Sequence, residues 1–416
     1  MSSQSAIEPV SLYVHVPFCP SKCAYCDFNS AVVDVSAAAP QVHGDLRRAS
    51  AVPERDVGDA YVDAAIRYIT EASETGVLAD VPTVYIGGGT PTLLGSRLVR
   101  LVRAISDLPG VGPETEFTVE TNPETTGSEL IGQLVEAGVN RFSMGIQSFD
   151  DRVLTTLGRC HDSPAAERAA GVLRGSRVPF SVDLICGVPG QGGESWVESV
   201  GRATGTRAGH LSIYPLSLER GTALAGAVEA GLIPMPDPDV AAEMMESAAE
   251  LLELAGFERY EIASYALDGQ QSRHNTVYWT GGAYLGVGSG AASMLPVGVL
   301  RQLSPAAGQA ARADDEWRAR LVWTTTVTGF LTGALEDAPM QLETLSPADA
   351  LREDAMLGMR MSVGISDELA EDAGVVAVME SLADRGLVMH AAGRWRPTEH
   401  GWLFGNQIFS AILGAE

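Results

Sequence analysis

Three cysteines set close together, Cys19-Pro-Ser-Lys-Cys23-Ala-Tyr-Cys26, constrain this chain more than any other feature of it. They follow directly on a short β-rich run, Leu12 to Val16, so a compact loop at a strand end can turn three sulfurs toward one centre. Thiolates are soft ligands that suit iron-sulfur clusters, which ordinarily take four cysteines; three leave one iron open. A structural zinc site would want a fourth Cys or His close by, and His15 lies inside the strand before the loop. Cys160 and Cys186 stand alone in the sequence and read as small buried residues. Five cysteines, three of them clustered, point to metal ligation and not to a disulfide framework. The cytoplasm is the expected location, because the N-terminus lacks a secretory pattern and no apolar run is long enough to cross a bilayer.

Beyond the cysteines, residues 11 to 215 alternate β-rich runs with helical patterns, the signature of βα units around a parallel sheet. Six strands are predicted, at Leu12 to Val16, Thr83 to Ile86, Phe117 to Glu120, Arg141 to Gly145, Ser181 to Ile185 and Leu211 to Tyr214, each apolar enough to be covered on both faces. The fold class that follows is α/β, a partial (β/α)6 barrel whose site lies at the strand C-termini, with a doubly wound sheet as the other arrangement. Ala31 to Asp59 has no sustained period and reads as a long loop. Pro234, Pro236 and Pro238 break the chain before a helix whose face carries Met244, Ala248, Leu251 and Ala255, with Gly256 as its stop. Helical patterns and then a hairpin at Gly386 to Met389 and Gly393 to Arg396 predict a small winged-helix-like α+β tail domain. The expected division is 1–235 for the core, 236–344 for a connector and 345–416 for the C-terminal domain. Asp and Glu number 53 against 28 Lys and Arg, a net charge of −25 that argues against a nucleic acid partner.

The cysteine spacing, after a strand and before a βα array, resembles the radical S-adenosylmethionine (SAM) superfamily. That resemblance implies a [4Fe-4S] cluster on Cys19, Cys23 and Cys26, with SAM chelating the open iron. The run Gly87-Gly88-Gly89-Thr90-Pro91 after the second strand allows close backbone approach and offers amide donors, and it is similar to the superfamily's motif for the methionyl amino group. Further polar residues stand at strand ends: Glu120, Gln147, Arg159 and Asp183. Each alone reads as a cap or a surface charge. In the coproporphyrinogen-dehydrogenase-like branch, the matching motif positions contact SAM, which here implies Tyr13, Tyr25, Gly88, Gly89, Thr90, Glu120, Gln147, Arg159 and Asp183. Ser217 would join them, although Tyr-Pro-Leu-Ser departs from the branch's usual residues.

Within that branch the chain resembles HemW-type haem chaperones, with an oxygen-independent coproporphyrinogen III dehydrogenase or another tetrapyrrole-directed radical SAM enzyme as the alternative. The dehydrogenases carry a fourth cysteine two positions after the third, where this chain has Phe28, and a longer segment before the cysteines than the 18 residues here. Arg273-His274-Asn275-Thr276-Val277-Tyr278-Trp279 looks like the His-Asn-x-x-Tyr-Trp motif of HemW proteins. A neutral imidazole at His274 can ligate haem iron or support the site from behind, Tyr278 and Trp279 can pack on the macrocycle, and Arg273 can meet a propionate. The resemblance therefore implies haem as cargo and acceptor haem proteins, including respiratory ones, as partners, without coproporphyrinogen oxidase activity. Whether the chain forms a homodimer is left open by the sequence.

Overall fold

The computed structural model describes residues 9–32, 56–304, 317–332 and 340–415. Its strands in chain order are β1 (Ser11–Val16), β2 (Phe18–Cys19), β3 (Ala31–Val32), β4 (Thr83–Gly88), β5 (Glu116–Thr121), β6 (Arg141–Gln147), β7 (Phe180–Cys186), β8 (His210–Pro215), β9 (Glu258–Arg259), β10 (Ser264–Ala266), β11 (Tyr284–Val287), β12 (Ala292–Pro296), β13 (Arg318–Trp323), β14 (Met340–Leu345), β15 (Ile365–Ser366), β16 (Val388–Ala391) and β17 (Arg394–Pro397). Twelve of them form one sheet in the order β14-β13-β12-β11-β1-β4-β5-β6-β7-β8-β10-β9. All six expected strands are present as β1 and β4 to β8, mutually parallel in that order. A seventh parallel strand, β11, lies beside β1 and is formed within 281–290, where glycines flank the strand. The segment 236–344 supplies β9 to β13 and most of β14, and its apolar residues join the same core as the first six strands.

One expectation about these strands is corrected. They are not apolar on both faces; they alternate. Val84, Ile86, Phe117, Val119, Phe142, Met144, Val182, Leu184, Leu211 and Ile213 face the helices and form the core, while the intervening positions line a cavity inside the curved sheet. The reason is that the concave side meets a cavity and not a packed layer of helices, so apolar side chains there lack the contacts that the other face provides.

Of the expected loop from Ala31 to Asp59, residues 33–55 lie outside the described residues. At its start, β3 pairs in parallel with β2; at its end, Asp56 caps the helix Val57–Glu74 by accepting from the Gly58 amide. That helix buries Tyr61, Tyr68 and Ile69, each worth about 1.5–3 kcal/mol by area removed from water, and its two tyrosines join an aromatic cluster with Phe18, Trp323 and Phe330. The helix after the prolines spans Pro238–Leu254 and buries Met244, Ala248 and Leu252. The inward face is therefore rotated by one residue from the expected Leu251, and Ala255 is exposed. Gly256 follows at φ +86°, as the stop requires.

The tail has its own apolar cluster, including Met359, Ile365, Met379, Leu382, Trp395 and Ile408. The expected hairpin is there as β16 and β17, with β15 adding a third antiparallel strand. Among the described residues no helix is long and apolar enough to cross a membrane.

Candidate functional site

The cysteine loop leaves β1 and is held on several sides. Cys19 ends β2, the Ala24 amide donates to Leu157 O, and the Leu224 amide donates to Ala24 O. Gly158, at φ +68°, is obligatory here, since a Cβ would sit 2.9 Å from the Ala24 nitrogen. Cys19, Cys23 and Cys26 are each half-buried and line a cavity of about 450 Å³ within the sheet. Two of the sulfurs already accept hydrogen bonds: Cys19 from Thr90 Oγ1 at 3.8 Å and Cys23 from Arg159 Nη1 at 3.4 Å. Burial raises the Cys19 and Cys26 thiols above their usual range, with the Thr90 hydroxyl opposing it at Cys19; three soft sulfur donors on one cavity wall are the ligand set that an iron-sulfur cluster takes.

The three glycines serve close approach and not amide donation, which corrects the sequence reading. The Gly88 amide donates to Glu120 Oε2 at 2.9 Å, the Gly89 amide to Val16 O and the Thr90 amide to Phe18 O. These amides are already used to tie the turn to Glu120 and the cysteine loop. A Cβ on Gly88 would lie 2.4 Å from the His15 ring, and one on Gly89 would lie 3.0 Å from the Cys19 sulfur. The His15 ring is itself fixed: Nε2 donates to Asn29 O at 2.9 Å, and Nδ1 accepts from the Tyr13 hydroxyl at 2.9 Å. Tyr13 thus stands behind the wall and does not line the cavity, whereas Tyr25, Gly88, Gly89, Thr90, Glu120, Gln147, Arg159, Asp183 and Ser217 all do.

Local backbone explains several of these placements. A bulge between β6 and β7 at Gly145/Gln147 puts Gln147 at φ 70° and turns its side chain inward. Arg159 bridges the cysteine loop to the sheet, donating from Nη2 to Asn122 Oδ1 at 2.8 Å and to Gly145 O at 2.9 Å. Glu120 accepts from the Tyr85 hydroxyl at 2.7 Å, yet burial still raises its carboxyl above the usual range. Burial likewise pushes Asp183 up to about 7, against hydrogen bonds from Ser212 and Ser143. Two carboxyls that burial drives toward their neutral forms are poised to meet a cationic or hydroxyl-bearing ligand. Tyr85, Thr118, Asn122, Arg141, Ser143, Ser181, His210, Ser212 and Tyr214 also line the cavity and were not found from sequence. The signal was present: on each strand they occupy the same alternate positions as Glu120 and Asp183.

His274 lies at the other end of the molecule from the cysteines, on the helix Arg273–Trp279, which closes the floor of the sheet. Glu116 accepts from the amides of Arg273 and His274. The His274 ring is 1 % exposed and stacks on Tyr85 with centroids 5.0 Å apart. Its Nδ1 donates to Thr83 Oγ1 at 2.6 Å, because Thr83 gives its own hydrogen to Ser11, and its Nε2 accepts from the Tyr278 hydroxyl at 2.9 Å. Burial lowers its pKa to about 3, which keeps it neutral. Both nitrogens of His274 are engaged, and His274 is not among the residues that line the cavity holding the cysteines. Tyr278 packs edge-on against His274 and Tyr284, Trp279 lies under Arg360, and Arg273 donates to Glu114 O. Of the described residues of this helix and its cap, Asn275 and Ser272 line the cavity.

Comparison with known proteins adds an independent line. The radical SAM superfamily matches residues 13–203, and the HemN C-terminal domain matches residues 345–404. A Mus musculus protein, radical S-adenosyl methionine domain-containing protein 1, mitochondrial, is 35% identical over 375 residues, covering 88% of this chain and 76% of its own length. Heme chaperone HemW of Mycobacterium tuberculosis (strain ATCC 25618 / H37Rv) is 34% identical over 98% of this chain and 95% of its own length. Heme chaperone HemW of Escherichia coli (strain K12) is 30% identical over 98% and 99%. Among solved structures, the coproporphyrinogen III oxidase HemN of Escherichia coli, a radical SAM enzyme, shares the fold with a TM-score of 0.76 at 19% identity, covering 99% of this chain and 92% of that one.

Proposed function

Because this chain belongs to the HemW family within the radical SAM superfamily, we propose that it is a haem chaperone that binds haem and passes it to acceptor haem proteins. The observation that carries this is the end-to-end similarity to proteins named heme chaperone HemW, reaching 34% identity over 98% of the chain. Cys19, Cys23 and Cys26 would hold the [4Fe-4S] cluster, and the wall from Gly88 to Asp183 would hold SAM. When bound, that pair supplies one-electron chemistry; the chain's own residues orient the cofactors and keep water from them.

The haem face we assign is the cavity mouth. Phe28 is 59% exposed and Tyr214 40%, and both line the cavity beside Leu216. An exposed apolar rim is what a flat macrocycle can cover. At the opposite end, His274 acts as a positioning residue for the floor helix. Phe28 also stands where the dehydrogenases carry their fourth cysteine, which favours the chaperone over porphyrinogen decarboxylation. The acidic chain, with a net charge of −25, fits delivery in the cytoplasm by contact with the acceptor protein and not through an anionic lipid surface.

The test is anaerobic cluster reconstitution followed by haem titration, then incubation with SAM, reductant and coproporphyrinogen III. Stable haem binding without decarboxylation is expected. Decarboxylation at enzymatic rates would overturn the reading in favour of a radical SAM enzyme acting on a tetrapyrrole.

A further inference from the structure

The cavity does not end at the cofactor wall; it continues to the floor, where its lining turns into an array of hydrogen-bond donors. Arg141 on β6 is buried and donates from Nη2 to Gln270 O at 3.1 Å. Among the described residues no carboxylate oxygen lies within ion-pair distance of its guanidinium. His210 on β8 is 2% exposed, and its Nδ1 has no partner; Thr118 on β5 is 1% exposed, and its hydroxyl has none. Buried polar groups are nearly always paired, so two orphans on one cavity wall call for a ligand.

The direction of these bonds fixes the ligand's chemistry. The Tyr260 oxygen accepts from the Ser272 amide at 3.3 Å and lies 2.9 Å from His210 Nε2, and its own hydrogen is free to be given to Nε2. Burial keeps His210 neutral, and in the tautomer that takes the Tyr260 hydrogen at Nε2 the ring's one proton is on the unpartnered Nδ1. The Ser272 oxygen already accepts from the Asn275 amide, leaving its hydrogen to give. Arg141, which gives one hydrogen to Gln270 O and has others left to give, thus shares one floor with the unpartnered His210 Nδ1 and Thr118 hydroxyl, and Ser272 and Asn275 line the same floor. Glu116 accepts from two backbone amides, and Asp183 is held by Ser143 and Ser212, with the Arg141 charge acting on it from beyond ion-pair distance.

We infer that the floor is a carboxylate-binding site, in which Arg141, His210 and Thr118 grip the two oxygens of a carboxylate with Ser272 and Asn275 beneath it. The carboxylate comes either from a free small acid or from an arm of a larger ligand; the propionate of haem is the case that rests on the chaperone reading.

The experiment uses the full chain with its cluster loaded and titrates sodium acetate by calorimetry against sodium chloride at equal ionic strength. Saturable acetate binding is expected, abolished by Arg141→Met and weakened about tenfold by Thr118→Val, the loss of one hydrogen bond to a charged group. Thr118→Val should melt no lower than the parent, because the hydroxyl it removes has no partner, so a lost signal cannot be blamed on folding. A second arm compares haem with its dimethyl ester. If acetate gives no heat but esterification weakens haem binding, and Thr118→Val erases that difference, the bound carboxylate is the propionate. The inference is overturned if acetate behaves as chloride and esterification changes nothing, or if whichever ligand binds does so equally well to the parent, Thr118→Val and Arg141→Met. The acetate arm needs no haem, so failure of the chaperone reading would leave its result intact.

Discussion

Replacing His274 by Ala separates a residue that ligates haem from one that holds the floor in place. The imidazole makes two buried hydrogen bonds, to Thr83 and Tyr278, and covers the Tyr85 ring. Each bond contributes about 1 kcal/mol net, the stranded Tyr278 hydroxyl adds desolvation cost, and the vacated volume against Tyr85 costs about 1–2 kcal/mol, for a total of about 3–5 kcal/mol. The assay is urea unfolding at pH 7.5, followed by tryptophan fluorescence and circular dichroism, with a haem titration on the same preparation. A lower midpoint at unchanged slope is expected, together with an unaltered Soret band under conditions where the variant is folded. Tyr278→Phe, which removes one bond and keeps the ring, should lose only about 1 kcal/mol. An Ala variant as stable as the parent but with a shifted or absent Soret band would refute the argument and make His274 the iron ligand.

Three further outcomes follow from the same geometry. Replacing any of Cys19, Cys23 or Cys26 by Ser removes a soft ligand and should abolish iron loading after reconstitution; a variant with unchanged iron content and visible spectrum would contradict the cluster assignment. Asp183→Asn should stabilise the cofactor-free chain at pH 8 by up to about 4 kcal/mol, since burial holds the carboxyl near 7 and its charged form is penalised above that, while SAM affinity measured by equilibrium dialysis should fall. For His274 the sign is opposite: its folded pKa of about 3 lies below the unfolded value, so its share of stability is complete above about pH 6.5 and is lost as pH falls toward 3. At pH 5 that loss is about 2 kcal/mol, and comparing denaturant midpoints at pH 7.5 and 5 in parent and His274→Gln should show the variant losing less.

That Cys19, Cys23 and Cys26 line one cavity was legible because they belong to one loop, whose spacing fixes which sulfurs can meet. The six strands were legible for the same reason, and so were Glu120 and Asp183 as polar residues on them. Tyr85, Arg141 and His210 escaped notice because they matter only once strands distant in sequence are rolled side by side, so that alternate positions of β4, β6 and β8 face one cavity. His274 shows the converse. Its neighbours Tyr278 and Trp279 suggested a haem face, but whether an imidazole is an open ligand or a buried clamp depends on Thr83 and Tyr85, which lie far from it along the chain. Sequence by itself determined which atoms could hold metal and which runs would form strands, since both are set by near neighbours. Only the tertiary structure decided which polar groups are left without partners, because satisfaction of a buried donor is a property of everything packed around it.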